Sequence, residues 1–340
     1  MSWIATTAER DDYEGEGALY FARTADGWDL GLRRHWGGEG FLPVILCPGY
    51  GCSGVFLDFD DRHSLARYLA RRGMDVWVLD LRGRGESRLA AGQASVRSHW
   101  TFDDLIRYDL PAAIEFVREQ TGRSQVAWVG HSLGGMALYA FVGTTPIGRE
   151  TIAAAVTLAS PVLFPATAWR LFRRLGIALL SLPLPGSVPQ REVVSFFWKA
   201  FELTGLIRVG MNPANIDPQL AGRALRRSLH NVSFAKLRQL ATWSAEQVFC
   251  SVDRAVDYRA GLRRFEAPIL IAAGSDDRLA GPESVSVAME EISSNDKTFV
   301  EFGEAHGCGA DYGHVDLILG DHAPDEVFPR IGDWLEERLR

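Results

Sequence analysis

Residues Gln125–Ala140 read QVAWVGHSLGGMALYA. The apolar run QVAWV passes into Gly130, His131, Ser132, Leu133 and Gly134 and then into helix-forming residues, so a G-x-S-x-G string sits between a strand and a helix. The spacing has a physical reason. A tight, strained turn lifts the serine hydroxyl above the sheet, and a side chain at Gly130 or Gly134 would collide with neighbouring backbone. Ser132 then stands at a helix N-terminus, whose unpaired N–H groups favour developing negative charge, and it is the candidate nucleophile.

Outward from this stretch, short apolar runs alternate with amphipathic ones, which predicts an α/β fold of mostly parallel strands joined by crossover helices. Strands are expected at Leu19–Arg23, Leu30–His35, Pro43–Cys47, Asp75–Asp80, Gln125–Val129 and Ala153–Leu158. The last four are nearly all apolar, as buried parallel strands are. Helices are expected over Ser64–Arg72 and over Thr101–Glu119, the second opened by a hydroxyl cap with Asp103 and Asp104 in its first turn. After Ser160 and Pro161, prolines at 165, 183, 185, 189, 213 and 218 break up helical segments rich in Phe, Trp and Leu, and no strand is expected before Pro268. The rhythm resumes with a strand at Pro268–Ala272, a helix over Glu283–Ile292, a strand at Thr298–Glu301 and a helix over Pro324–Leu339. The expected organisation is a discontinuous α/β core, 1–161 and 266–340, interrupted by a helical cap or lid over 162–265.

Composition narrows the function. A chain of 340 residues with 47% hydrophobic and 23% charged residues is neither disordered nor fibrous. A net charge of -7 excludes a protein whose main task is holding nucleic acid. The charge is uneven: the 162–265 segment carries 15 basic and 6 acidic residues, so a basic lid faces an acidic core. Such a lid attracts its own core, or else anionic substrates or an anionic membrane surface. Cys47, Cys52, Cys250 and Cys308 show no C-x-x-C spacing, so no zinc module or disulfide framework is indicated, and free, half-buried thiols of a cytoplasmic protein are expected. The acidic Met1–Glu16 segment does not read as a secretory signal. The most apolar stretch, Leu175–Leu184, is shorter than the roughly 20 residues a bilayer requires, so no stable membrane insertion is expected.

A serine nucleophile needs a base, and the base an orienting carboxylate, in the chain order Ser, Asp or Glu, His for this arrangement. After the run PILIAA come Gly274, Ser275, Asp276 and Asp277. Asp277, three residues past the strand-ending glycine, is preferred over Asp276. His306 and His314 both follow the last expected strand; His314, directly before an apolar turn and the closing helix, is preferred over His306 in its glycine-rich loop. The run PVILC leads into Pro48, Gly49, Tyr50 and Gly51, which puts the backbone N–H of Tyr50 beside that of Leu133 as a pair of oxyanion donors. In the insertion, Phe164, Trp169, Phe197, Trp198 and Phe201 either line a lipophilic acyl site or form the lid's own core.

The chain resembles the α/β-hydrolase superfamily, and within it the acid-lipase branch. The likeness rests on PVILCPGYGCSG from Pro43, DVWVLDLRGRGES from Asp75, HWTFDDLIRYDLPAAIEFV from His99, VGHSLGG from Val129 and YGHVDLILGDHAP from Tyr312. It implies Ser132 as nucleophile, His314 as base, Asp277 as orienter, and Tyr50 and Leu133 as oxyanion donors. Pro48 departs from the histidine usual in the family's HG motif but leaves the backbone donor intact. Polyhydroxyalkanoate synthases share much of this core but resemble it with cysteine at the nucleophile position; haloalkane dehalogenases and epoxide hydrolases need aspartate there, so Ser132 disfavours all three chemistries. The expected activity is hydrolysis of small lipophilic esters through an acyl-enzyme, without metal or organic cofactor. Acyl transfer or thioester hydrolysis on the same triad, or a non-catalytic ligand pocket, are the alternatives.

Overall fold

Apolar runs bounded by glycine or proline become the strands. The computed structural model describes residues 17–89, 99–164 and 186–340. Its strands are β1 (Ala18–Arg23), β2 (Trp28–Trp36), β3 (Val44–Cys47), β4 (Asp75–Leu79), β5 (Arg88–Leu89), β6 (Val126–His131), β7 (Ile152–Leu158), β8 (Ser187–Val188), β9 (Val232–Ser233), β10 (Ile269–Gly274) and β11 (Lys297–Phe302). Every residue of β3, β4, β6 and β10 is buried, as strands covered on both faces must be.

The main sheet runs β1-β2-β4-β3-β6-β7-β10-β11, with β5 on the side of β2. β1 and β4 are antiparallel to β2, and the pairs from β4 through β11 are parallel. From β3 the chain turns to β4 on one side and then to β6 on the other. The carboxyl ends of β3 and β6 therefore flank the point where strand order reverses, the place where open α/β sheets leave a crevice. Register carries this edge across the sheet: Cys47 pairs with Gly130, His131 with Leu158, and Leu158 with Ala272.

Seven helices matter here: α1 (Leu65–Arg71), α2 (Leu110–Thr121), α3 (Leu133–Thr144), α4 (Gln190–Leu203), α5 (Pro218–Ser228), α6 (Phe234–Glu246) and α7 (Ala323–Leu339). Ser64 caps α1 by accepting from the Arg67 N–H. Thr101 and Asp104 form the capping box that leads through a π-helical segment, Leu105–Asp109, into α2.

Three expectations need correcting. The helix over Glu283–Ile292 is two pieces, Pro282–Val285 and Val287–Glu291, because the ladder tightens at Ser286, whose carbonyl accepts from Met289 N only three residues on. The stretch before Pro268 does contain strand: β8 and β9 pair antiparallel, two residues each and too short to show alternation. Cys47 and Cys52 are buried rather than half-buried, while Cys250 and Cys308 are intermediate; all four thiols are free. No helix among the described residues is long and apolar enough to cross a membrane.

Candidate active site

Ser132 holds φ 52° and ψ -117°, a left-handed backbone that a residue with a side chain adopts only under constraint. Close packing supplies that constraint. A Cβ at Gly130 would come within 2.4 Å of Gly135 N, and one at Gly134 within 2.3 Å of Cys47 O, so neither position admits a side chain. Ser132 N donates to Leu158 O at 2.7 Å, and Ser132 O accepts from Gly135 and Met136 as α3 begins. The Leu133 N–H, in the first turn of α3, has no acceptor among the described residues, as expected of a helix start.

The loop after β3 runs against this turn. A Cβ on Gly49 would lie 3.1 Å from Ser132 Cβ and 3.0 Å from His131 Nδ1. The Tyr50 N–H, like that of Leu133, has no acceptor among the described residues. Two unspent donors therefore flank the elbow, one from each side of the β3–β6 crevice.

Asp277, on the turn leaving β10, is buried and saturated. One carboxylate oxygen accepts from Leu279 N and Ala280 N, both at 2.8 Å, and the other meets His314 Nδ1 at 2.8 Å. This arrangement fixes His314 Nδ1 as the N–H and leaves Nε2 as the basic nitrogen. Asp276 turns outward to Arg278 at 3.1 Å, and the half-exposed His306 faces Glu301 at 3.3 Å, so neither takes part in this pair. Among the described residues no hydrogen bond joins the Ser132 hydroxyl to His314. In sites without substrate such contacts are commonly long and tighten on binding.

Two residues that sequence reasoning passed over hold the histidine turn. His131 Nε2 donates to the His314 carbonyl at 2.9 Å, and the two rings meet edge to face at 4.8 Å. Burial, reinforced by His314, pushes the His131 imidazole down to about 3, so it stays neutral and adds no charge beside His314. Asp316 accepts from Gly313 N and Asn212 N with a single oxygen, both at 2.8 Å, while its other oxygen is buried without a partner. Burial raises its carboxyl to about 7, against the pull of those two N–H bonds. For His131 the signal was available: a histidine closing an otherwise apolar, buried strand needs a polar partner. Asp316 offered none, since an Asp near a helix start reads as an ordinary cap.

The aromatics singled out between residues 162 and 265 have separate surroundings. Phe164 is buried and stacks on Trp243 at 5.9 Å, inside a cluster with Phe102, Phe249 and Tyr258. Phe197 packs edge to face on the exposed Phe196. Trp198 is half-buried against α5, where a Cβ on Gly222 would meet its indole at 3.0 Å. Trp169 and the side chain of Phe201 lie outside the described residues.

The family described as serine aminopeptidase, S33, matches over residues 44–306, a span that includes Ser132 and Asp277 and stops before His314. Lipase member K of Homo sapiens is 26% identical, with 94% of this chain and 88% of that protein covered. Triacylglycerol lipase 2 of Arabidopsis thaliana is 26% identical, covering 87% and 77%. Among solved structures, a thermophilic esterase from Thermogutta terrifontis superposes with a TM-score of 0.62 at 19% identity over 96% of this chain and 100% of the other. A monoacylglycerol lipase from Paleococcus ferrophilus gives 0.62 at 18% identity over 91% and 99%. At such identities the structural likeness speaks for the fold.

Proposed function

The chain belongs to the serine aminopeptidase S33 family, an α/β-hydrolase family, and from that premise we propose that it hydrolyses carboxylic esters through an acyl-enzyme on Ser132. The observation that carries this reading is the 2.8 Å pair of His314 Nδ1 and Asp277 at the sheet edge where the strained serine turn stands. Ser132 Oγ attacks the ester carbonyl as His314 Nε2 takes its proton, and Asp277 holds the imidazole in its tautomer and stabilises the imidazolium. The Tyr50 and Leu133 N–H groups receive the oxyanion, a role in which losing one donor costs about 2.7–4 kcal/mol of transition-state stabilisation. His314 returns the proton to the departing alcohol, then deprotonates the water that releases the acid. No step calls on a metal or organic cofactor.

The acyl chain in this reading is lipophilic, of medium or greater length, and residues 162–265 are the cap over a discontinuous core. Support comes from relatives named as lipases and from large apolar side chains left exposed on α4. A cytoplasmic, reducing location agrees with the four unpaired cysteines.

Intact mass after fluorophosphonate treatment tests the reading. One adduct on the parent, none on Ser132→Ala and slowed labelling of His314→Ala are expected; an unlabelled parent would overturn it. A series of p-nitrophenyl esters tests the substrate class: kcat/KM is to rise from acetate toward longer chains, and a maximum at acetate excludes the lipophilic acyl site.

A further inference from the structure

Gly49 and Tyr50 share one peptide unit, and in a trans peptide the first residue's C=O and the second residue's N–H point in opposite directions. Whatever grips the Gly49 carbonyl therefore aims the Tyr50 N–H. The grip is Arg84, whose Nη1 donates to Gly49 O at 2.9 Å and to Cys52 O at 3.3 Å; Cys52 N adds a weaker bond to Gly49 O at 3.3 Å.

Arg84 is an unusual choice for so modest a task. It is fully buried, and its Nε and Nη2 have no partner. No carboxylate pairs with it among the described residues, in contrast to Arg82, two positions earlier, which holds Asp109 at 2.7 Å and Asp26 at 2.8 Å. Burying a guanidinium without a counter-charge is costly. Here the guanidinium holds the carbonyl of Gly49, the residue that packs against Ser132, where a Cβ on Gly49 would lie 3.1 Å from Ser132 Cβ. A hydrogen bond to an amide carbonyl also polarises the amide and strengthens its N–H as a donor. The turn that delivers Arg84 is built for the purpose: Gly83 and Gly85 hold φ of 73° and 49°, and Gly85 N donates to His230 Nε2 at 3.2 Å. Behind it the Trp100 ring lies 5.9 Å from Arg84 and 4.5 Å from Lys236 Nζ, a second buried basic group without a hydrogen-bond partner.

We propose that Arg84 is a positioning residue for ester hydrolysis: by holding the Gly49 carbonyl it turns and polarises the Tyr50 N–H toward the oxygen that becomes negative in the transition state. The inference rests on the acyl-enzyme reading above.

The test uses the full chain with Arg84→Met, which keeps length and loses donors, and Arg84→Lys, which keeps charge and one amino group. Rates on a p-nitrophenyl ester are normalised to sites counted by fluorophosphonate labelling run to completion, which removes misfolded protein from the comparison. Expected for Arg84→Met is a fall of about 50-fold in kcat with KM unchanged, below the roughly 10²–10³-fold cost of deleting an oxyanion donor outright, and for Arg84→Lys a fall of about fivefold. Affinity for a trifluoromethyl ketone, which forms a tetrahedral adduct on the serine, is to fall in parallel with kcat. A kcat per site within twofold of the parent, or a reduced kcat with undiminished ketone affinity, overturns the proposal. Should Arg84→Met not fold, Arg84→Lys decides by the same two readouts. A parent that neither labels nor turns over brings down the hydrolase reading and this inference together; an active parent matched by Arg84→Met brings down this inference alone.

Discussion

Helices α3 and α4 are both rich in apolar residues and use them in opposite ways. α3 buries every residue from Leu133 to Gly143, with β6 and β7 on one side and Gly261 pressed against Gly143 on the other. α4 leaves Phe196 and Leu203 more than four-fifths exposed. A helix enclosed on all sides can hold a left-handed serine at its first turn, since the strain of roughly 1–3 kcal/mol is met by packing that cannot relax. A helix with an open apolar face has no such grip and cannot fix reacting atoms. The proposed chemistry therefore falls to the first region, and the exposed Phe196 and Leu203 leave α4 an apolar surface.

That contrast is open to attack. The largest effect is expected at the core: Asp277→Asn should lower kcat/KM by about 10⁴-fold, because the amide cannot hold the required tautomer of His314. Asp276→Asn should leave kcat/KM within about twofold of the parent. Equal losses in the two variants would mean that the 2.8 Å pair does not organise the site.

A smaller effect concerns Asp316, whose carboxyl is raised from 3.8 to about 7 in the fold. Between those values the folded state binds more protons than the unfolded one, so Asp316 lowers stability as pH rises through this window. Asp316→Asn keeps one acceptor for Gly313 N and Asn212 N and removes the titration. Its Tm should therefore gain a few degrees on the parent between pH 4 and pH 7, with no further gain above; a gap that does not change with pH counts against the assignment. Smallest of all, Phe196→Ser should shift stability by no more than about 0.5 kcal/mol in denaturant titration. A loss of 2 kcal/mol or more there would show that α4 packs like α3 in solution, and the contrast would collapse.

Much of the core is legible in the residues alone. The strands of the central sheet announce themselves because a segment covered on both faces is apolar through its middle, with polar residues such as Asp75 and His131 only at its ends. Ser132 is legible for a related reason: a Cβ at Gly130 or Gly134 would lie 2.4 or 2.3 Å from neighbouring backbone, so both positions must be glycine. Asp277 and His314 lie near enough to recognisable strand ends to be picked out, each from a pair of candidates. Arg84 and Asp316 escape because their partners are backbone atoms of distant loops, Gly49 O and Asn212 N, and backbone atoms carry no letter, whereas His131 shows in sequence that it needs a polar partner but not that the partner is His314 O. In the insertion, aromatic content alone cannot separate Phe164, enclosed by Trp243, from Phe196 in solvent, since both follow from proximity rather than periodicity.

The order in which the sheet is assembled bears on the protein's life before it is whole. β3 and β6, with the glycine loop and the serine turn, are central strands and come early, whereas β10 and β11, which introduce Asp277 and His314, are laid down last at one edge. On the proposed reading, a chain clipped ahead of Gly274 would lack both Asp277 and His314, and with them the pair that serves Ser132. On that reading the serine would be made before its base, and its reactivity would depend on the last two strands of the sheet being in place.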